Sequence, residues 1–237
     1  MPLMLPDLRD SVWRANLALV RSGLVTLSFG NASGVDRAEG VMVIKPSGVP
    51  YDELRPEQLV VVSLDTGAVV EGDLRPSSDT PTHLRLYRAF AEIGGVVHTH
   101  STSASSWAQA GRSIPPLGTT HADHFHGSVP VTRQMTEAEV DGAYEAETGA
   151  VIVETLARLG LSPVEMPAAL VASHGPFTWG RDAKEAAENA TALEAVATMA
   201  IQTFAIDPLA APMSDYLMER HFRRKHGPSA YYGQTRR

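Results

Sequence analysis

The chain has 237 residues, 43% of them hydrophobic, enough for one large α/β domain or two small ones. It contains no cysteine, which excludes disulfides and thiolate ligands and leaves histidine, carboxylate and water to hold any metal. A formal charge of −7 excludes the basic footprint of a nucleic-acid-binding surface.

Leu8, Val12, Ala15 and Leu19 recur at helical spacing before Gly23, so residues 7–22 are predicted to form an amphipathic helix. Strand signals follow at 41–45, 60–64 and 68–71, the last two around the turn residues Asp65-Thr66-Gly67. Ser78-Asp79-Thr80-Pro81 reads as a helix start with Thr80 capping and Pro81 at the first helical position. That helix leads through Gly94-Gly95 into a strand ending in His98-Thr99-His100. Beyond lie a polar loop (118–127), a short strand near 129–132, a helix ending at Gly160, and a buried strand (168–172) that runs to His174 and breaks at Gly175-Pro176. Asp182 opens a long Ala-rich helix to about Ile206, and a last helix spans about 214–225. The elements do not keep a strict βαβ rhythm, so a mixed or largely antiparallel sheet with helices on both faces is expected rather than a Rossmann fold. No linker or internal repeat divides the chain, so a single domain over 1–237 is expected. The N-terminus lacks a signal-peptide pattern, and Glu188, Asn189 and Glu194 interrupt the longest apolar region, so the expectation is a cytoplasmic protein with no membrane contact.

A strand sends alternate side chains to one face, so His98 and His100 are aimed the same way, like half of a metal site. His174 at the end of a second strand supplies a remote third ligand, the layout of a catalytic centre with an open position. Asp79 is either a carboxylate stabilised by the helix dipole or a hard oxygen ligand completing the set. Three loops have anion-binding chemistry: Ser28-Phe29-Gly30-Asn31, Lys45-Pro46-Ser47-Gly48 and Ser77-Ser78, the last at a helix N-terminus. No GxGxxG or Walker pattern occurs, so a nucleotide is not indicated. His121, His124 and His126 are unspecific as a second cluster, and Asp123 in the same loop is read as an acid/base group near the metal. The basic run Arg223 to His226 complements the dipole at a helix end.

The runs LVTLSFGNASGVD, VIKPSGVPYDEL, RPSSDTPTHLRLYRAF, GGVVHTHS, GTTHADHFHG, ALVASHGPFTWG and RKHGPSAYYGQ together resemble the class II aldolase family, in which L-ribulose-5-phosphate 4-epimerases sit beside L-fuculose-phosphate aldolases. The resemblance runs from about Leu17 to Gln234. It implies a three-layer α-β-α sandwich and a divalent metal, zinc first, on Asp79, His98, His100 and His174. It implies that Gly30, Asn31, Ser47, Gly48, Ser77 and Ser78, with Lys45 nearby, hold a phosphorylated ketopentose. Asp123 and Tyr232 are implied as the acid/base pair, in a homotetramer whose active sites lie at subunit interfaces, with the tail 226–237 completing a site. The implied activity is 4-epimerisation in pentose (arabinose) catabolism. Family aldolases, the second possibility, typically carry Glu where this chain has Asp79. A non-catalytic adducin-head-like module is third, and the three histidines argue against it. His124 and His126 stand where relatives have tyrosines. A cupin would want a Glu four or five residues after His100, where Ala104 and Ser105 stand.

Overall fold

The computed structural model of the chain describes residues 4–227 and 230–231. Seven strands form one sheet: β1 (Asn31–Asp36), β2 (Val41–Ile44), β3 (Val60–Ser63), β4 (Val69–Glu71), β5 (Gly95–His98), β6 (Ala168–Leu170) and β7 (Pro176–Gly180). Their order is β4-β3-β2-β1-β5-β7-β6, with each neighbouring pair antiparallel. The two-residue period of a strand makes both faces of this sheet a core. Met42 and Ile44 of β2 pack with Leu84, Tyr87, Ile152 and Trp179, whereas Val41 and Val43 pack with Val12, Leu19, Val97 and Ala186.

Leu84, Tyr87 and Ile152 belong to helices α2 (Thr80–Ala89) and α6 (Tyr144–Leu159), and Val12, Leu19 and Ala186 to α1 (Pro6–Arg21) and α7 (Ala183–Ile206), while Trp179 and Val97 come from β7 and β5 of the sheet itself. Between them in sequence lie α3 (Thr102–Gln109), the short α4 (Thr119–Ala122) and α5 (Glu137–Asp141); α8 (Asp215–Lys225) closes the helical series. The result is helices on both faces of an antiparallel sheet, as expected. Arg9 is buried on α1 and ties that helix to the sheet edge through Glu71 at 2.6 Å and the Leu59 carbonyl. Removing Glu71 would leave the buried Arg9 guanidinium without its carboxylate, at a cost of up to about 3–5 kcal/mol.

Several boundaries differ from the sequence reading. Strand β1, at the middle of the sheet, is not apolar, because α1 lies directly on it: a Cβ on Gly34 would stand 2.8 Å from Leu8 and 2.9 Å from Val12. Small residues replace the usual hydrophobic alternation, and Asn16 of α1 bonds both polar groups of the Ala32 peptide unit. Asn31, Ala32 and Ser33 are all buried in this strand. Gly175-Pro176 does not end the sheet but turns β6 into β7, which makes His174 a turn residue. The strand expected at 129–132 consists of two isolated bridges, Ile114 with Val129 and Val131 with Leu170. Asp79, rather than Thr80, occupies the position before α2; Thr80 is its first helical residue and donates its hydroxyl to the Ser77 carbonyl.

Candidate metal centre and substrate cavity

Strand β5 ends at His98, so His100 lies just beyond it and not within it as the alternation argument required. The two rings still converge, Nε2 to Nε2 at 2.9 Å. His98 Nδ1 lies 3.0 Å from the Pro176 carbonyl, which can only accept, so Nδ1 carries the proton and the Nε2 lone pair faces His100. Burial pushes the His98 pKa down to about 3; Asp79 opposes that fall, and His174 and His100 add to it. His174 arrives from the β6–β7 turn, whose Ser173 holds a left-handed φ of 61°, a strained conformation at a non-glycine residue. Ring centroids of His98, His100 and His174 are separated by 4.8, 4.8 and 5.1 Å, and one nitrogen from each lies within 4.8 Å of the others. Convergent imidazoles with one Nδ1 already spoken for suit a divalent metal.

The histidines line a cavity of about 400 Å³ together with Gly30, Asn31, Lys45, Ser47, Gly48, Ser77, Ser78 and Asp79. Gly30 has φ 81°, and a Cβ there would stand 2.8 Å from the His98 carbonyl oxygen, so only glycine lets this loop touch the histidine strand. The other two loops are joined by backbone bonds, Ser47 N to Arg75 O at 2.9 Å and Ser77 N to Lys45 O at 3.0 Å. Asn31 donates from Nδ2 to Ser77 Oγ at 3.0 Å and to Asp79 Oδ2 at 2.6 Å, while its buried Oδ1 has no partner among the described residues. Burial works to raise the Asp79 pKa, but the fields of His98 and His83 and the Asn31 hydrogen bond hold it below the usual carboxylate value. Asp79 is not one of the three convergent ligands; its carboxylate is turned to Asn31. Lys45 is only 2% exposed, stands 4.7 Å from the Tyr51 ring centre, and has no carboxylate at ion-pair distance among the described residues. Burial lowers its pKa to about 8. A buried lysine with no carboxylate partner among the described residues, beside a helix N-terminus, has the chemistry to receive an anion.

Asp123 does not line this cavity. It is buried against α8, where Arg224 grips both carboxylate oxygens, His221 Nδ1 lies 3.2 Å from Oδ1 and Lys225 Nζ 3.8 Å from Oδ2. Burial acts to raise its pKa, but these partners hold it below the ordinary value. The basic run thus does more than complement a dipole. Tyr232 lies outside the described residues. His121, His124 and His126 do not gather: His121 bonds the Gly127 carbonyl at 2.7 Å and His126 meets Glu219 at 2.5 Å, while burial takes His121 and His124 down to a pKa of about 4. A larger depression of about 810 Å³ between α1 and α7 is lined largely by alanines and charged helix positions, and His124 is its single histidine among the described lining.

Two cavity residues escaped the sequence reading, Tyr144 and Glu145 at the start of α6. The Tyr144 hydroxyl lies 3.4 Å from His174 Nδ1. Burial, then the charge of Asp79, raises its pKa. A polar pair opening a helix looks like an ordinary first turn, so nothing local marks it; only the packing of α6 on α2 brings it to the histidines.

Residues 10–201 match the family model described as Class II Aldolase and Adducin N-terminal domain. The chain is 55% identical over 227 residues to L-ribulose-5-phosphate 4-epimerase UlaF of Salmonella paratyphi C (strain RKS4594), covering 96% of this chain and 98% of that protein, and to the same extent to its namesake in Salmonella typhi. An L-fuculose 1-phosphate aldolase superposes with a TM-score of 0.76 at 24% identity over 93% of this chain and 96% of that one. The L-fuculose-1-phosphate aldolase of Thermus thermophilus does so with a TM-score of 0.66 at 24% identity, over 87% of this chain and 98% of that one. These two share the three-layer fold. With its match over most of the length and its cluster of three histidines, the chain belongs to the class II aldolase and adducin N-terminal domain family.

Proposed function

We propose that the protein is a metal-dependent epimerase interconverting L-ribulose 5-phosphate and D-xylulose 5-phosphate in the cytoplasm. The carrying observation is that one cavity joins three convergent imidazoles to a buried lysine and a helix N-terminus, a metal-binding set beside an anion receptor. The 55% identity to proteins named for this reaction supports it.

Carbon 4 of the sugar carries no acidic proton, so inversion there requires cleavage of the bond between carbons 3 and 4. His98, His100 and His174, with Asp79 as a fourth ligand, would hold the metal; zinc is the first choice for a cysteine-free imidazole and carboxylate set. When bound, it supplies Lewis-acid stabilisation of the developing oxyanion, on the order of several kcal/mol. Lys45, Asn31, Ser47 and Ser78, with the backbone of Gly30, Gly48 and Ser77, hold the phosphate. A base removes the proton from the carbon 4 hydroxyl, and cleavage gives the enediolate of dihydroxyacetone and glycolaldehyde phosphate. The aldehyde turns about its anchored phosphate, carbon 3 re-adds to its other face, and an acid protonates the new alkoxide. Asp123 and Tyr232 are the proposed pair.

Asp123 does not line its own chain's cavity, so it would serve a neighbouring subunit's. We therefore read the protein as a homotetramer of single 1–237 domains, in which residues 226–237 complete a shared site. No helix among the described residues is long and apolar enough to cross a membrane.

The test is to load the protein with zinc and follow L-ribulose 5-phosphate by carbon NMR. D-xylulose 5-phosphate as product supports the reading. Free aldehyde and ketone fragments instead mean the class II aldolase activity, and no turnover by fully loaded protein overturns both.

A further inference from the structure

The Nδ1 atoms of two clustered histidines have partners of different kinds. His98 is fixed by a backbone carbonyl, that of Pro176, which no side-chain substitution removes. His174 Nδ1 instead faces a side chain, the Tyr144 hydroxyl at 3.4 Å, with the two rings near-parallel at 29° and their centres 6.2 Å apart. Tyr144 is itself held. Thr82 of α2, fully buried, donates its hydroxyl to the Glu145 carbonyl at 2.5 Å, and the Thr148 hydroxyl bonds the Tyr144 carbonyl at 2.8 Å. Gly149 allows α6 to press onto α2, since a Cβ there would stand 2.6 Å from Arg85 Cβ. The start of α6 is thus fastened to the helix that begins beside Asp79, and Tyr144 lines the same cavity as the histidines.

We propose that Tyr144 is a positioning residue for His174: its oxygen accepts a hydrogen bond from Nδ1–H, which directs the Nε2 lone pair to the metal, and its own hydroxyl proton is left to donate to a sugar oxygen in the cavity. A phenol can accept one hydrogen bond while donating another, so the two roles are compatible. Outer partners of ligating histidines set the tautomer and ring orientation, and their loss typically weakens metal binding about 10- to 100-fold. The inference rests on the metal reading of the three histidines.

Tyr144→Phe keeps the ring and removes only the hydroxyl. Metal-free wild type and variant are titrated with zinc against a chromophoric chelator, and with cobalt(II) while the visible spectrum is recorded. We expect zinc affinity to fall about 10- to 100-fold, the cobalt bands to shift, and the Michaelis constant for L-ribulose 5-phosphate to rise in fully loaded enzyme. Equal zinc affinity with an unchanged cobalt spectrum overturns the inference and leaves the proposed function standing; a wild type that binds no zinc overturns both. Should the variant fold poorly, nitrogen NMR of wild-type zinc protein labelled at histidine decides the matter. His174 protonated on Nδ1 supports the inference, and His174 bound through Nδ1 overturns it.

Discussion

Arg224 holds Asp123 by a two-point grip, Nε to Oδ1 at 3.0 Å and Nη2 to Oδ2 at 2.5 Å. The residue read from sequence as an acid/base group is therefore a clamped anion, whose partners hold it in the charged form and reduce its basicity. Burial alone would raise its pKa, and Arg224 is the first of the partners that lower it. Removing the guanidinium in Arg224→Met should let that pKa rise. If Asp123 is the base, the acidic limb of the kcat/KM profile then moves to higher pH. An unmoved limb, with activity otherwise intact, would show that Asp123 does not titrate in the reaction.

The metal prediction separates histidines that converge from those that do not. His100→Asn should lower zinc content and turnover together, because it weakens one ligand of a small set. His126→Gln, which loses the 2.5 Å contact to Glu219 on α8, should keep its zinc. Metal analysis of the two purified variants gives the answer; full zinc in the first, or loss in the second, means the wrong histidines were assigned.

Lys45 would make the proposed anion site sensitive to pH. With its pKa lowered to about 8 by burial, the free enzyme loses this cation as pH rises through 8, so the Michaelis constant for the phosphorylated sugar should climb above that pH. Lys45→Arg keeps the charge at all working pH values and should abolish the climb. Ser78→Ala should raise the constant by about 1.5–3 kcal/mol in binding terms, the scale of a charge-assisted hydrogen bond. Asn31→Ala should do that and more, because Asn31 also bonds Asp79 at 2.6 Å. Steady-state kinetics from pH 6 to about 9.5 test all three variants against the unperturbed lysine range.

Gly94-Gly95 reads in sequence as a break before the histidine strand. In the fold Gly95 is within the strand, and a Cβ on it would stand 2.3 Å from the Asp182 carbonyl group, where α7 begins. Gly95→Ala has to push α7 from the sheet, so it should cost more than about 3 kcal/mol. Gly118→Ala, with nothing within 4 Å of the added atom, should cost about 1 kcal/mol or less. Urea unfolding of both variants measures the contrast; similar midpoints would remove the steric account of the glycine pair.

What was legible in the sequence was whatever periodicity or local chemistry controls. Helices α1, α7 and α8 and the strands β2 and β3 came from apolar spacing and caps, and the histidines and the Gly30, Lys45 and Ser77 loops came from residue types that need one another. Strand β1 was hidden because its small residues answer to α1 rather than to a hydrophobic period. Tyr144 was hidden because its partner, His174, is thirty positions away. The separation of Asp123 from the cavity was equally invisible, since a loop's direction is set by α8, which follows nearly a hundred residues later.

Tyr232, the proposed partner of Asp123, lies outside the described residues. Its neighbour Tyr231 is exposed, and the Tyr231 backbone N–H donates to the carbonyl of Arg224, the residue that clamps Asp123, at 3.0 Å. Tyr232→Phe should reduce turnover roughly a hundredfold, the scale of a lost general acid or base, with zinc content unchanged; Tyr231→Phe should be much milder. The hold of α8 on Asp123 bears on which mixed assemblies recover activity. If Asp123 and Tyr232 of one subunit both serve a neighbour's histidines, tetramers mixing Tyr232→Phe with Asp123→Asn chains stay inactive, because every site receives one defective group. Mixing His100→Asn with Asp123→Asn chains instead gives roughly a quarter of the interfaces in a randomly assembled ring an intact cavity facing an intact carboxylate. Activity in the second mixture and not the first is the expected result. Recovery in the first would assign the two groups to different subunits, and none in either, with mixed tetramers verified by native mass spectrometry, would argue against a shared site.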